Sequence, residues 1–237
     1  MKKTHLLPIT LLATLSSPIA MAQFSGSGEL GYSNNTGNTE NSALYAALKM
    51  KYEQEKYLLK SLIESSYKSE NGDETEERYL LDLQADYFYS PDKSIYSFAG
   101  ARFEQNKFED IDLDSTFSLG LGNKFVKTEK TEITGEVAIG YQNTDFITKG
   151  IDSDSQTVGI AKLIASHQLN QQVSLLQDLS ITTGAERTKF ESNTGVKVKV
   201  SDKANLKLSY KYRNNDNPAA GAKETDTQTL VTLTYDF

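Results

Sequence analysis

The segment that decides the fold is TLVTLTYDF, residues 229–237. Apolar side chains recur at every second position and share one face of an extended strand: Val231, Leu233, Tyr235 and Phe237. The other face is mostly polar and consists of Leu230, Thr232, Thr234 and Asp236. The end of a soluble domain usually frays, so an alternation that continues to Phe237 indicates a strand that is needed over its full length.

The same period of two continues along nearly the whole sequence. After residue 22 there is no run of 18 apolar residues and no sustained 3.6-residue pattern. We predict about twelve strands of roughly ten to thirteen residues, and about ten residues is the length that a tilted strand needs to cross a bilayer. The predicted strands are residues 23–33, 42–53, 57–68, 77–89, 95–105, 113–126, 132–143, 156–168, 173–182, 188–200, 205–213 and 226–237.

The connections between these strands alternate in length. Short links are predicted at residues 53–56, 90–94, 127–131, 170–172 and 201–204. Loops that are mostly longer are predicted at residues 33–41, 69–77, 106–112, 143–155, 184–188 and 214–226. Outer-membrane barrels have short periplasmic turns and longer external loops. The pattern therefore predicts an all-β, transmembrane, antiparallel up-and-down β-barrel with both termini on the periplasmic side.

The first 22 residues have the features of a secretory signal peptide. Lys2 and Lys3 precede an apolar run at residues 6–15, and Ala20 and Ala22 supply the small residues of a cleavage site. The apolar run is about half of the roughly 20 residues that a spanning helix needs. We predict export, cleavage after Ala22, and one barrel domain at residues 23–237.

Composition narrows the range of functions. The chain carries 32 acidic and 25 basic residues, so nucleic acid is not expected as a partner. It has no cysteine, so burial and hydrogen bonding alone must hold the exported domain together. Nothing in the sequence calls for a cofactor.

A periplasmic β-sandwich is the main alternative fold, because its strands also alternate and turn every dozen residues. A sandwich has no need for aromatic residues at the ends of its apolar faces, whereas a membrane barrel places them at both interfaces. Ten aromatic residues lie near such ends: Tyr32, Tyr52, Tyr57, Tyr67, Tyr79, Tyr89, Phe125, Tyr141, Tyr212 and Phe237. The aromatic positions favour the barrel.

Three segments carry a more specific resemblance. They are FSGSGELGYSNNTGNTENSAL at residues 24–44, YSFAGARFEQNKFEDID at 96–112 and SLGLGNKF at 118–125. These segments resemble the YdiY-like family, described as salt-induced outer-membrane proteins and largely as a domain of unknown function. The resemblance covers essentially the whole exported chain. It implies an outer-membrane β-barrel and assigns no reaction and no catalytic residue.

An enzymatic or metal-binding role has weaker support. His167 is the one histidine after residue 22, and Ser166 and Gln168 beside it form no nucleophile elbow, so a barrel hydrolase is the less favoured alternative. Acidic segments at residues 70–77, 109–114 and 152–155 lack the EF-hand spacing. As a further alternative, these loops bind ligands or share the divalent cations of the lipopolysaccharide layer through Asp110, Asp112 and Asp114.

If the apolar faces meet lipid, the opposite faces place charged side chains in the lumen. The cationic candidates are on the tenth and eleventh strands: Lys197, Lys199, Lys207, Lys211 and Arg213. The acidic candidates, Asp82 and Asp86, are on the fourth strand, across a barrel of about 12 Å radius. These charges predict either a transverse field in a pore or contacts that plug it. The eighth strand is ambiguous, because one face combines Val158, Ile160, Lys162 and Ile164.

The C-terminal alternation acquires a role in such a barrel. The last strand must pair with the first, near residues 24–32, because unpaired strand edges are not tolerated in lipid. Leu233, Tyr235 and Phe237 also resemble the signal that the barrel-assembly machinery reads. We expect a monomeric outer-membrane barrel, either a narrow channel or a structural envelope protein. Its expected partners are outer-membrane lipids, lipopolysaccharide and the assembly machinery.

Overall fold

A computed structural model describes residues 24–35, 41–218 and 223–237, which form a closed barrel of twelve antiparallel strands. Each strand pairs with the next along the chain, so the predicted fold class is confirmed. The predicted signal peptide and its cleavage after Ala22 lie outside the described residues. The strands are β1 Phe24–Asn35, β2 Asn41–Glu53, β3 Tyr57–Glu70, β4 Asp73–Phe88, β5 Ile95–Asn106, β6 Ile111–Lys127, β7 Thr131–Phe146, β8 Asp154–Gln168, β9 Val173–Thr183, β10 Thr188–Lys199, β11 Ala204–Asn215 and β12 Thr225–Asp236.

The two ends of the barrel differ, and we name them for what they carry. The terminal end holds Phe24 and Phe237, and its links are short, at residues 54–56, 89–94, 128–130, 169–172 and 200–203. The loop end is the opposite one. A one-turn 3₁₀ helix, Lys107–Glu109, joins β5 to β6 there. No helix in the described ranges is long and apolar enough to cross a membrane.

The prediction of a long loop at residues 69–77 is wrong. β3 continues to Glu70 and β4 begins at Asp73, so only Asn71 and Gly72 connect them. Their φ angles are +52° and +88°, and positive φ at both central residues defines the type I′ turn of a two-residue hairpin. The Asn-Gly pair therefore lets two strands extend beyond the predicted boundary.

The barrel closes where the predicted seam lies. β1 pairs with β12 from Ser27 opposite Asp236 to Gly31 opposite Thr232. At the end of the seam, Gly26 and Phe237 exchange two backbone hydrogen bonds of 2.9 Å, and the Phe237 ring stacks on Phe24 with 6.1 Å between ring centroids. The alternation of the opening segment thus continues to Phe237 because β1 pairs along it.

The two faces of each strand have opposite environments. On β12, Val231 and Leu233 are 56% and 58% exposed, whereas Thr232 and Thr234 are 1% and 2% exposed. Large apolar and aromatic side chains therefore cover the outside, and polar side chains fill the inside, which reverses the arrangement of a soluble domain. A barrel with this surface requires lipid around it.

The glycine-rich segment at residues 118–125 makes room for aromatic rings inside the barrel. Gly120 and Gly122 face inward on β6, and the Phe98 and Tyr96 rings of β5 lie against their backbones. A Cβ atom at Gly120 would come within 2.5 Å of the Phe98 ring, and one at Gly122 would overlap the Tyr96 ring. The two rings belong to an apolar cluster inside the lumen: Leu58, Phe88, Tyr96 and Phe98.

We predict that Gly122→Ala destabilises the barrel by about 1–3 kcal/mol, the usual cost of overpacking. The Tyr96 ring cannot yield easily, because its hydroxyl donates to Glu136 Oε1 at 2.7 Å. The measurement is the urea midpoint for loss of heat-modifiable migration. Gly28→Ala is the matched control, because no atom lies within 4 Å of a Cβ built there. Equal midpoints for the two variants would contradict this role of Gly122.

We also predict that Phe237→Ala lowers the fraction of protein that assembles. The substitution removes a ring pair worth about 1 kcal/mol and uncovers the backbone of Gly26, which the ring covers. Assembly is measured as heat-modifiable protein in the membrane fraction, and export as removal of residues 1–22. Tyr210→Ala, an outward aromatic residue away from the seam, serves as control. An equal loss in the control would show that any outward aromatic residue has this effect.

Candidate functional site

The seven predicted lumen residues all face inward, and each has an opposite charge within 4.0 Å. Their partners are Arg102 for Asp82, Lys60 for Asp86, Asp236 for Lys197, Asp202 for Lys199, Glu29 for Lys207, Glu64 for Lys211, and Glu76 for Arg213. Local pairing cancels much of the transverse field that the sequence predicts. Among the described residues, Asp82 and Asp86 pair with cations of neighbouring strands and not with the five cations of β10 and β11.

A group of charged residues crosses the lumen in its half nearer the loop end, and we call it the arginine belt. It consists of Glu64, Arg78, Arg102, Glu104, Glu191 and Lys211. Arg78 is its buried centre: Nη1 donates to Glu64 at 2.7 Å and Nε donates to Glu104 at 2.8 Å. Charge-assisted hydrogen bonds of this kind are stronger than neutral ones.

Two contacts of the arginine belt join opposite walls. Arg102 Nη2 of β5 donates to both carboxylate oxygens of Glu191 on β10, at 3.0 and 3.2 Å. Lys211 Nζ of β11 donates to Glu64 of β3 at 2.9 Å. β5 and β10 are five strands apart in a ring of twelve, and β11 and β3 are four apart. The belt therefore spans the lumen instead of lining one wall.

A second group, the Glu136 cluster, joins walls closer to the terminal end. Glu136 Oε1 accepts hydrogen bonds from Tyr96 at 2.7 Å and Gln84 at 2.9 Å. Lys60 lies 3.0 Å from Asp86 and 3.5 Å from Glu136. The sequence alternation places Gln84, Asp86 and Glu136 on the faces opposite the apolar ones. Tyr96 was not among the predicted lumen residues, because an aromatic side chain does not stand out as a polar position.

The loop-end mouth is also filled by polar contacts. Asp114 accepts hydrogen bonds from Gln142 at 2.9 and 3.1 Å and from Thr144 at 3.0 Å. Lys189 lies 4.0 Å from Asp114 and 3.8 Å from Glu109 of the 3₁₀ helix. Burial raises the pKa of the Glu109 carboxyl above its usual value, and Lys189 opposes that shift. The mouth thus holds two carboxylates around one lysine.

The structure changes the interpretation of the acidic loops. Asp114, assigned to a possible cation-binding loop, is buried and lines the lumen. Asp110 accepts hydrogen bonds from the backbone and the hydroxyl of Thr148, both at 3.0 Å. Over residues 24–35, 41–218 and 223–237, no group of three or more histidine, cysteine, aspartate or glutamate side chains is arranged to hold a metal ion.

His167 and Ser166 point to opposite faces of β8. His167 is exposed, and its Nδ1 lies 2.8 Å from the Thr131 hydroxyl. Ser166 faces the lumen, because successive side chains of a strand alternate. The two residues therefore do not form the nucleophile and base pair that hydrolysis requires.

The face of β8 that the sequence left ambiguous points into the lumen. Val158 is fully buried inside the barrel, and Ile160, Lys162 and Ile164 line cavities in the lumen. Lys162 was not among the predicted lumen residues. Its aliphatic neighbours on the same face hide the row of polar residues that normally identifies the lumen-facing side of a strand.

Comparison with known proteins agrees with this architecture. A family model described as "Protein of unknown function, DUF481" matches residues 28–237. The "Uncharacterized protein YdiY" of Escherichia coli (strain K12) is 24% identical over 217 residues, which cover 91% of this chain and 84% of that protein.

Solved structures show the same fold at low identity. The NanC porin has a TM-score of 0.55 at 10% identity, over 90% of this chain and 98% of its own. An outer membrane channel from Pseudomonas putida F1 has a TM-score of 0.58 at 12% identity, over 90% of this chain and 95% of its own. At such identity the likeness concerns the fold alone, which is that of outer-membrane barrels.

We predict that Arg78→Met destabilises the barrel by about 3–5 kcal/mol, because it leaves Glu64 and Glu104 as buried charges with a lost partner. The measurement is again the urea midpoint of the folded form. Lys68→Met is the control, since Lys68 faces the same lumen but forms a more exposed pair with Glu76, worth about 0–1 kcal/mol. Similar midpoints for the two variants would mean that Arg78 does not organise the belt.

Proposed function

This chain belongs to the family described as "Protein of unknown function, DUF481", and we propose that it forms a narrow channel through the outer membrane for small polar solutes. The observation that carries the proposal is the contact between Arg102 and Glu191 across the lumen. That contact divides a charged interior into small cavities, two of which it borders. In the proposed channel, opening of this contact joins the two cavities.

The accessibility of the crossing contact supports an interior that holds water. The Arg102 and Glu191 side chains are 29% and 31% exposed, although both lie inside the barrel, whereas Arg78 beside them is 3% exposed. An ion pair that water reaches contributes only about 0–1 kcal/mol. The Arg102–Glu191 contact can therefore break and re-form without unfolding the barrel, while Arg78 stays in place.

The chemistry of the wall determines which solutes the channel accepts. Cations and carboxylates from β3, β4, β5, β10 and β11 alternate around the belt. Such a wall favours hydrophilic solutes, because an apolar molecule would have to displace water from charged groups. The contacts across the lumen restrict those solutes to small ones.

A structural envelope barrel that conducts nothing is the second candidate. The Glu136 cluster favours it, because Tyr96, Gln84 and Glu136 are buried and join three strands by hydrogen bonds. Together with the aromatic rings over Gly120 and Gly122, this cluster narrows the lumen near the terminal end. In that case the belt contributes only stability.

The setting of the channel is part of the proposal. We place the terminal end in the periplasm and the loop end outside the cell, because short turns lie at the terminal end. Removal of residues 1–22, contact with lipopolysaccharide, assembly through residues 233–237 and a monomeric state remain predictions.

We predict low unitary conductance for the purified protein in planar bilayers and a several-fold higher conductance for Arg102→Ala and for Glu191→Ala. Either substitution removes the contact that crosses the lumen. Both variants are first tested for heat-modifiable migration, so that only folded protein is compared.

Lys197→Ala is the control for the conductance measurement. Lys197 lies on the same strand as Glu191 and faces the lumen, but its partner Asp236 is at the terminal end. Equal increases in all three variants would contradict a gate at Arg102 and Glu191. A barrel that remains silent in wild-type and variant forms would favour the structural candidate.

A further inference from the structure

A cavity of about 260 Å³ lies inside the lumen beside the Arg102–Glu191 contact. Its walls come from β3 and β4 on one side and from β8 to β11 on the other. Ligand pockets usually start at about 300 Å³, so the volume suits a small molecule below drug size. The cavity is on the route that a solute would take past the arginine belt.

Most charges in this cavity are already neutralised. Glu64 accepts hydrogen bonds from Arg78 and Lys211, at 2.7 and 2.9 Å. Glu191 is held by both of its oxygens to Arg102. These groups hold the cavity in shape and have little capacity left for a ligand.

Lys162 is the cation in the cavity that has no close partner among the described residues. Its neighbour across the β7–β8 pair is Glu136, but that carboxylate turns toward Tyr96 and Gln84. Within the described parts of the chain, Lys162 has no carboxylate within 4.0 Å and no hydrogen bond. The aliphatic side chains of Ile160 and Ile164 flank it on the same face. An ammonium group in these surroundings needs water or an external anion as its partner.

Arg213 is a second cation with unused donors. Its guanidinium faces the same cavity, and the one ion pair that it forms with a described residue, Glu76, is long at 3.7 Å. A guanidinium presents five donors in a planar fork that matches a carboxylate or a phosphate. Lys162 and Arg213 therefore supply cationic donors from β8 and from β11.

Two acceptors in the cavity lack donors. Asp178 and Asn193 are directly opposite each other on β9 and β10. Asn193 Oδ1 is buried without a hydrogen-bond partner, and the Asp178 carboxylate has no cation within 4.0 Å among the described residues. A ligand hydroxyl can donate to the Asp178 carboxylate, whereas a second carboxylate would be repelled by it.

We propose that this cavity binds a small hydroxylated carboxylate. Lys162 and Arg213 supply donors for the carboxylate, and Asp178 accepts a hydrogen bond from a hydroxyl group. This proposal rests on the proposed function, because the ligand would be the class of solute that the channel carries. Binding of the ligand is measured separately from conduction. The arginine belt forms one wall of the site, so the solute contacts the crossing residues as it passes.

The test is calorimetric titration of the folded, detergent-solubilised full chain with sodium gluconate and with sodium hexanoate, a carboxylate of equal chain length without hydroxyls. Gluconate is expected to bind more tightly than hexanoate. Lys162→Gln is expected to weaken gluconate binding by about tenfold or more, the effect of losing one hydrogen bond to a charged group. Lys49→Gln is the matched control, because Lys49 also faces the lumen without an ion pair in the described residues but lies outside this cavity.

The possible outcomes distinguish a failure of the proposed binding site from a failure of the proposed channel. No detectable gluconate binding, equal affinity for both probes, or unchanged binding in Lys162→Gln would overturn the site. An equal loss in Lys49→Gln would also overturn it, since binding would then follow overall charge. Gluconate binding in detergent without conductance in bilayers would support the site and contradict the channel. Conductance without gluconate binding would support the channel and contradict the site.

Discussion

The pairing of every backbone N–H and C=O group within the lipid is the constraint on which this structure depends. A strand edge left open in a bilayer costs several kcal/mol for each unpaired group. The contact between β1 and β12 removes the last two edges, and it requires both strands to remain regular to the terminal end. Closure then separates the two faces of every strand, so that apolar side chains meet lipid and polar ones are enclosed.

Enclosure in turn makes charge pairing necessary inside the barrel. Arg78, held between two carboxylates and nearly inaccessible, acts as part of the core. Arg102 and Glu191 are joined by longer hydrogen bonds, of 3.0 and 3.2 Å, and both side chains are partly exposed. The same ion-pair chemistry therefore serves stability where water is excluded and permits rearrangement where water enters. Lys162 lines both of the lumen cavities that border the Arg102–Glu191 contact.

Local periodicity was sufficient to predict the strands, because each strand buries one face. It placed Val231 outside and Thr232 inside correctly, and it identified the seam. It failed at Asn71 and Gly72, where a two-residue turn was read as part of a polar loop. It could not identify the partners of the lumen charges, since Lys207 and Glu29 meet across 178 residues of sequence. It also could not settle β8, whose inward face carries isoleucine beside lysine.

The rings of Tyr96 and Phe98 over Gly120 and Gly122 have a consequence for the shape of the interior. They thicken one side of the barrel, at β5 and β6, while the larger cavity in the lumen lies between β3 and β4 and the strands β8 to β11. The free space is therefore eccentric to the barrel axis. A molecule in the lumen would follow one wall and meet a fixed sequence of side chains, so selectivity would depend on a surface and not on a diameter.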